Sequence, residues 1–220
     1  DGATVSIISN GDHSEIKCGK VLVAIGVQGN IEDIGLESLG VSTKRGFIVI
    51  DEKMQTNVPG ILAIGDVTGK LLLAHVASAQ GITAVESICG LNPPNLNYSL
   101  MPRAIYSNPQ VASFGLTESQ AKEQGLSIKI GKFPLNATGK ALALGETDGL
   151  IKLITGSEIG EILGAHLIGA EVTEMIGELT ITQMLEGTTT ELGSLVHPHP
   201  TISEALKEAA LNAEGLAIHI

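Results

Sequence analysis

The chain has little with which to read nucleic acid. Among its 220 residues are three phenylalanines, two tyrosines and no tryptophan, and 13 Lys+Arg stand against 24 Asp+Glu for a formal net charge of −11. With neither stacking rings nor a basic face, nucleic acid is excluded as a partner. Cysteine is almost as scarce. Cys18 and Cys89 make neither a disulfide scaffold nor the C-x-x-C spacing of zinc or thioredoxin-like sites. No apolar run approaches 18 residues, and the opening Asp-Gly-Ala-Thr carries no basic segment followed by an apolar one. The expectation is a soluble, cytoplasmic protein with no membrane association. No G-x-G-x-x-G opens a helix, and there is no P-loop, H-E-x-x-H or G-x-S-x-G. The N-x-S/T triplets at Asn97 and Asn136 are read as chance.

What is present is an ordinary globular balance, 43% apolar and 17% charged, enough for one large core or two smaller ones. Thr4–Ile8 reads as a strand, and Asn10-Gly11 supplies the two residues that tolerate positive φ in a tight hairpin turn. Lys20–Ile25 (KVLVAI), ending at Gly26, has the continuous apolar run of a strand buried on both faces. A hairpin feeding such a strand, with no helices before it, suggests that the first 30 or so residues belong to a domain of which most is missing. Apolar runs recur at Phe47–Ile50 and Ile61–Ile64, and a helix is expected from about Leu73 to Cys89, closed by Gly90. Leu91–Asn97 (LNPPNLN) reads as a linker. Beyond it, strands are expected at Arg103–Tyr106, Val111–Leu116, Ser127–Phe133, Leu150–Ile154 and Glu161–Ile168, with helices at Thr117–Gln124, Val172–Glu186 and Ile202–Asn212. The first of these helices opens on the capping box Thr117-x-x-Gln120. The predicted fold class is therefore α/β followed by α+β.

Two stretches point to chemistry. Ile61–Asp66 (ILAIGD) places a carboxylate after an apolar run and a glycine. At the carboxyl end of a sheet strand such a group accepts hydrogen bonds from ribose-like hydroxyls; alternatively, Asp66 only turns the chain. Leu72-Leu73-Ala74-His75 then enters a helix whose free N–H groups face a polar or anionic ligand edge. The second stretch, His197-Pro198-His199-Pro200-Thr201-Ile202-Ser203-Glu204, holds two histidines out of helix by the prolines that follow them. A turn brings Glu204 back onto His199, whereas Thr201-x-x-Glu204 as a capping box explains the same carboxylate without catalysis. H-x-H with no further Cys or His nearby is a poor metal set, and no metal is expected. His13 in a turn, His166 in a strand and His219 near the terminus read as structural or solvated.

Taken in order, Ala63-Ile64-Gly65-Asp66, Leu73-Ala74-His75, Ile105-Tyr106, Gly145-Glu146-Thr147-Asp148-Gly149, Gly164-Ala165-His166 and His199-Pro200-Thr201-Ile202-Ser203-Glu204 resemble the C-terminal half of a pyridine nucleotide–disulfide oxidoreductase. Leu-Ala-His after Gly-Asp is most similar to the dihydrolipoamide dehydrogenase branch, rather than to glutathione or mercuric reductases. The resemblance implies a remnant of an NAD-binding domain over 1–32, the end of an FAD-binding domain with its linker over 33–97, and an α+β interface domain for homodimerisation over 98–220. It implies that Asp66 and the backbone of Leu72, Leu73, Ala74 and His75 meet FAD and that Gly26 meets NAD. His199 would be the acid–base catalyst, Glu204 its orienting partner, and His197 not catalytic. The pair would complete the active site of the other subunit. The substrate implied is dihydrolipoamide carried by the acyltransferase or lipoyl-carrier component of a 2-oxo acid dehydrogenase complex. The family's redox-active C-x-x-x-x-C and its dinucleotide fingerprints are not in this sequence, and Val27 stands where many members carry a basic residue. A related disulfide reductase acting on glutathione or a mercuric species, or a non-catalytic dimerisation module, is the alternative.

Overall fold

The computed structural model describes residues 2–220. It opens with the expected hairpin, β1 (Ala3–Ser9) against β2 (Asp12–Cys18), with Asn10 at φ 52 and Gly11 at φ 90 in the turn. His13 lies on β2 opposite Ile8, not in the turn.

Lys20–Ile25 departs from expectation. It forms no strand, and Leu22 and Ile25 are 89% and 96% exposed. A strand buried on both faces needs neighbours on both edges and a layer above and below, and no described strand lies alongside it.

A first core then gathers around residues 31–96. Helix α1 (Leu36–Leu39), the short pair β3 (Thr43–Lys44) and β4 (Phe47–Ile48), and helix α2 (Ala74–Ile88) contribute to it or border it. Its buried members include Leu36, Val41, Ile48, Ile50, Met54, Ala63 and Ala84. Ile61–Ile64 is extended and makes one bridge, Leu62 to Gln55, so the buried strand expected before Gly65 is absent. Leu91–Asn97 is strapped down: Leu96 packs on this core, and Lys53 Nζ donates to the Pro93 carbonyl.

The second core is built on a five-stranded antiparallel sheet of spatial order β5 (Arg103–Ile105), β6 (Gln110–Gly115), β9 (Ile162–Gly169), β8 (Leu150–Gly156), β7 (Ile128–Pro134). Register explains which residues are buried. Phe133, Ile151, Leu167 and Ala112 align across four strands, and Gly131, Leu153, Ala165 and Phe114 form the next row on the same face. The intervening row, Lys132, Lys152, His166 and Ser113, is polar. Helix α3 (Glu118–Glu123) carries the predicted reciprocal capping box between Thr117 and Gln120. Helices α4 (Gly139–Leu144) and α6 (Thr189–Ser194) were not anticipated, because each is too short for a helical period to show in the sequence. Helices α5 (Val172–Met184) and α7 (Glu204–Ala213) pack on the sheet and bury Val172, Met175, Leu179, Ala205, Leu206 and Ala209 in one core with it.

Candidate functional site

Between α6 and α7 the chain crosses the surface through Val196–Pro200. Pro198 and Pro200 keep His197 and His199 out of helical geometry, so α7 begins only at Glu204, two residues later than the spacing suggested. From that first helical position Glu204 reaches back. Its Oε1 accepts from His199 Nδ1 at 2.9 Å and its Oε2 accepts from the Thr201 N–H at 2.8 Å. The capping box is therefore only half made: the Thr201 hydroxyl donates to the Pro198 carbonyl at 2.9 Å and caps nothing. One carboxylate both closes the turn and holds the imidazole. Burial pushes the Glu204 carboxyl up, but the Thr201 N–H and the His199 ring outweigh it and hold it below the usual range.

With the Nδ1 proton committed to Glu204, Nε2 is left as the ring's acceptor. The His199 side chain is 76% exposed, so that nitrogen is open to a reactant. A cavity of about 220 Å³ adjoins the pair, walled by Phe133, Lys207, Glu208 and His219 among others. Glu208 is itself buried and accepts from the Ile218 and His219 N–H groups and from His219 Nδ1, which ties the C-terminal segment to α7.

The second set lies around Asp66. Gly65 has φ 77 and ψ −159, a conformation a side chain would strain, and its N–H donates to Gln80 Oε1 at 2.6 Å. That fixes the start of the 3-10 turn Asp66–Thr68 and leaves the Asp66 side chain exposed. Leu72 and Leu73 then lead into α2. No side chain caps this helix, and its first internal bond runs from the Ala77 N–H to the Leu73 carbonyl, so the N–H groups of Ala74, His75 and Val76 precede the ladder. His75 Nε2 donates to the Pro102 carbonyl at 2.8 Å, directing its ring toward the start of β5. An exposed carboxylate and, further along the chain, a set of uncapped N–H groups supply the acceptor and donor types that the hydroxylated chain and polar ring edge of a flavin nucleotide need. Gly26 is different. It has φ 136 in an exposed stretch, and a Cβ placed there would meet nothing within 4 Å.

The structure thus pairs His199 with Glu204 and ties Gly65, just before Asp66, to α2 through Gln80. It brings the two sets no closer: no described hydrogen bond joins them, and none of residues 66–75 lines the cavity beside His199. Two residues escaped the sequence reading. Gln80 is fully buried, joining Gly65 to the Tyr98 hydroxyl, to which it donates at 3.0 Å. Glu178 accepts from His197 Nε2 at 2.9 Å across 19 residues. Neither has a sequence signal, because a polar residue inside a helical run looks solvated until its neighbours are known.

Comparison with known proteins places these features in a family. The profile for the pyridine nucleotide-disulphide oxidoreductase dimerisation domain matches residues 101–210, and that for pyridine nucleotide-disulphide oxidoreductase matches residues 1–81. Dihydrolipoyl dehydrogenase from Bacillus subtilis is 49% identical over 219 residues, covering 100% of this chain and 46% of that protein. The enzyme of the same name from Corynebacterium glutamicum is 49% identical over 99% of this chain and 50% of its own length. The chain spans about half the length of the curated relatives it matches. Among solved structures, LpdA from Mycobacterium tuberculosis aligns with a TM-score of 0.85 and 25% identity over 96% of this chain and 46% of its own. The HOCl-induced flavoprotein disulfide reductase RclA from Escherichia coli, in its Cu(II) complex, also gives 0.85 and 25%, over 94% of this chain and 47% of its own. With its sheet-built half and its N-terminal portion each matched, the chain belongs to the pyridine nucleotide-disulphide oxidoreductase family.

Proposed function

We propose that this chain forms part of a dihydrolipoyl dehydrogenase, a flavoenzyme oxidising dihydrolipoamide with FAD and NAD⁺, and that it supplies the enzyme's acid–base pair and dimer interface. In this reading residues 1–32 belong to the NAD-binding domain, 33–97 to the FAD-binding domain and 98–220 to the interface domain. The enzyme works as a homodimer on the lipoyl group of a 2-oxo acid dehydrogenase complex. The observation that carries the reading is the His199–Glu204 pair, with Glu204 anchored on its other oxygen by the Thr201 N–H.

FAD, when bound, accepts the electron pair released as the dithiol closes to a disulfide. The Asp66 carboxylate would accept from its hydroxyls, and the backbone N–H groups at the start of α2 would donate to it. His199 handles protons. A thiol of ordinary pKa near 8.5 passes its proton uphill to an ordinary imidazole near 6.5, a gap of about 2.7 kcal/mol. A charged Glu204 on the far nitrogen holds the ring and faces the positive charge that it gains on taking the proton. In the same reading Gly26 would meet NAD⁺ in the NAD-binding portion.

The test is made in the full-length enzyme, by stopped-flow reduction of the flavin with dihydrolipoamide. His199→Gln should slow that step by ~10²–10⁴-fold. Glu204→Gln keeps an acceptor for the Thr201 N–H and should leave the fold intact while slowing the step substantially. The double variant should lose far less than the product of the singles. An unchanged rate in Glu204→Gln would reduce Glu204 to a turn-closing residue and remove the pair from the mechanism. Glutathione and mercuric ion serve as the competing substrates.

A further inference from the structure

Residues 196–200 carry His199 and make few described hydrogen bonds to the rest of the molecule. Among the described residues, these five form no backbone hydrogen bond to other backbone, and Val196, Pro198, His199 and Pro200 are exposed. Their described bonds are three. His199 binds Glu204, the Thr201 hydroxyl donates to Pro198, and His197 Nε2 donates to Glu178 Oε1 at 2.9 Å. The first two stay within the loop and the first residue of α7. Only the third reaches an element that does not flank the loop, namely α5, which is packed on the sheet.

His197 is the buried residue of the loop. Its side chain is 4% exposed, against 76% for His199. Its Nδ1 is buried with no partner. An imidazole held out of water with one nitrogen stranded is a costly way to fill space, since a leucine would fill it without orphaning a polar atom. Packing alone therefore does not account for a histidine here, whereas the directed bond to Glu178 does.

We propose that His197 and Glu178 are positioning residues: their bond pins the loop to α5 and so sets where His199 presents Nε2 to the reacting thiol. This rests on the assignment of His199 as the proton acceptor. Proton transfer demands placement to a fraction of an ångström, so a loop released at its described anchor outside the flanking helices loses rate without losing any reacting group.

The experiment compares two half-reactions of the full-length enzyme: flavin reduction by dihydrolipoamide, which needs His199, and flavin reduction by NADH, which does not. His197→Leu should lower the ratio of the first rate to the second by ~10- to 100-fold. His197→Gln, whose amide can still donate to Glu178, should restore most of it. Glu178→Leu should match His197→Leu, and the two together should be no worse than either. An unchanged ratio in His197→Leu, or a glutamine variant no better than leucine, overturns the proposal. Should His197→Leu give no folded flavoprotein, Glu178→Leu reads the same ratio and decides. His199→Gln separates the two claims. If it leaves the ratio intact, the acid–base assignment itself fails; if it collapses the ratio and His197→Leu does not, the anchoring role alone is lost.

Discussion

Single side chains at this site do more than one task, and substitutions separate the tasks. Gln80 fixes the Gly65–Asp66 turn with its carbonyl and meets Tyr98 with its amide. Gln80→Leu strands both partners and should cost about 1–3 kcal/mol, with weaker FAD retention in the full-length enzyme; denaturant melts and flavin release measure both. Glu204 and Glu208 respond to pH in a fixed direction. Burial pushes each up, but the Thr201 N–H and His199 hold Glu204 down, as His219 and the backbone N–H groups of Ile218 and His219 do for Glu208. A carboxyl depressed by folding contributes stability that is full above the unfolded value of about 4.3 and is lost as pH falls through the lower folded value. Melting temperature should therefore fall below about pH 4, and Glu208→Gln should blunt that fall. A melt that is the same at pH 3 and pH 6 contradicts this. At this scale the sequence was legible where a motif carried its own geometry, as at His199…Glu204. It was silent at Gln80 and Glu178, whose meaning comes from partners distant in the chain.

At the scale of elements, α7 sits on β7 so closely that Gly131 is obligatory. A Cβ there would lie 2.0 Å from the Ala209 carbonyl oxygen, a backbone atom that moves only with the helix. Gly131→Ala should destabilise by about 1–3 kcal/mol. Since Glu204 opens the same helix, the variant should also slow thiol-driven flavin reduction, a double effect measured by melting and stopped flow. The strands β5 to β9 were legible because apolar residues recur in short runs bounded by Gly and Pro, with buried and polar rows interleaving in register. Lys20–Ile25 misled for the same reason. Its pattern states that it wants burial on both sides, but a pattern does not supply the neighbours.

For the whole molecule, the two cysteines are not in C-x-x-x-x-C spacing and no glycine-rich phosphate site is present in the sequence. A polypeptide of these 220 residues should therefore show no NAD-linked oxidation of dihydrolipoamide even with excess FAD. NADH formation approaching that of an intact enzyme would contradict this. Residues 101–210 match a dimerisation domain, and α5 and the turn after it leave Ile181, Met184 and Leu185 exposed. An isologous pairing is the expected outcome. Sedimentation at micromolar concentration should show a dimer, and a strict monomer would count against an interface formed by this chain alone. No described helix is long and apolar enough to cross a membrane.

The sequence by itself determined the helices α2, α3, α5 and α7, the five strands β5 to β9 and the identity of the candidate acid–base residues. These depend on local periodicity, on proline and glycine, and on motifs whose members lie within a few residues of one another. Tertiary structure alone decided that Glu204 serves the turn and the imidazole at once, that His197 is buried against Glu178, and that Gln80 sets the turn before Asp66. Each depends on a bond between side chains or backbone brought together by packing. A linear pattern records the period of burial but not the partner that a buried polar group meets.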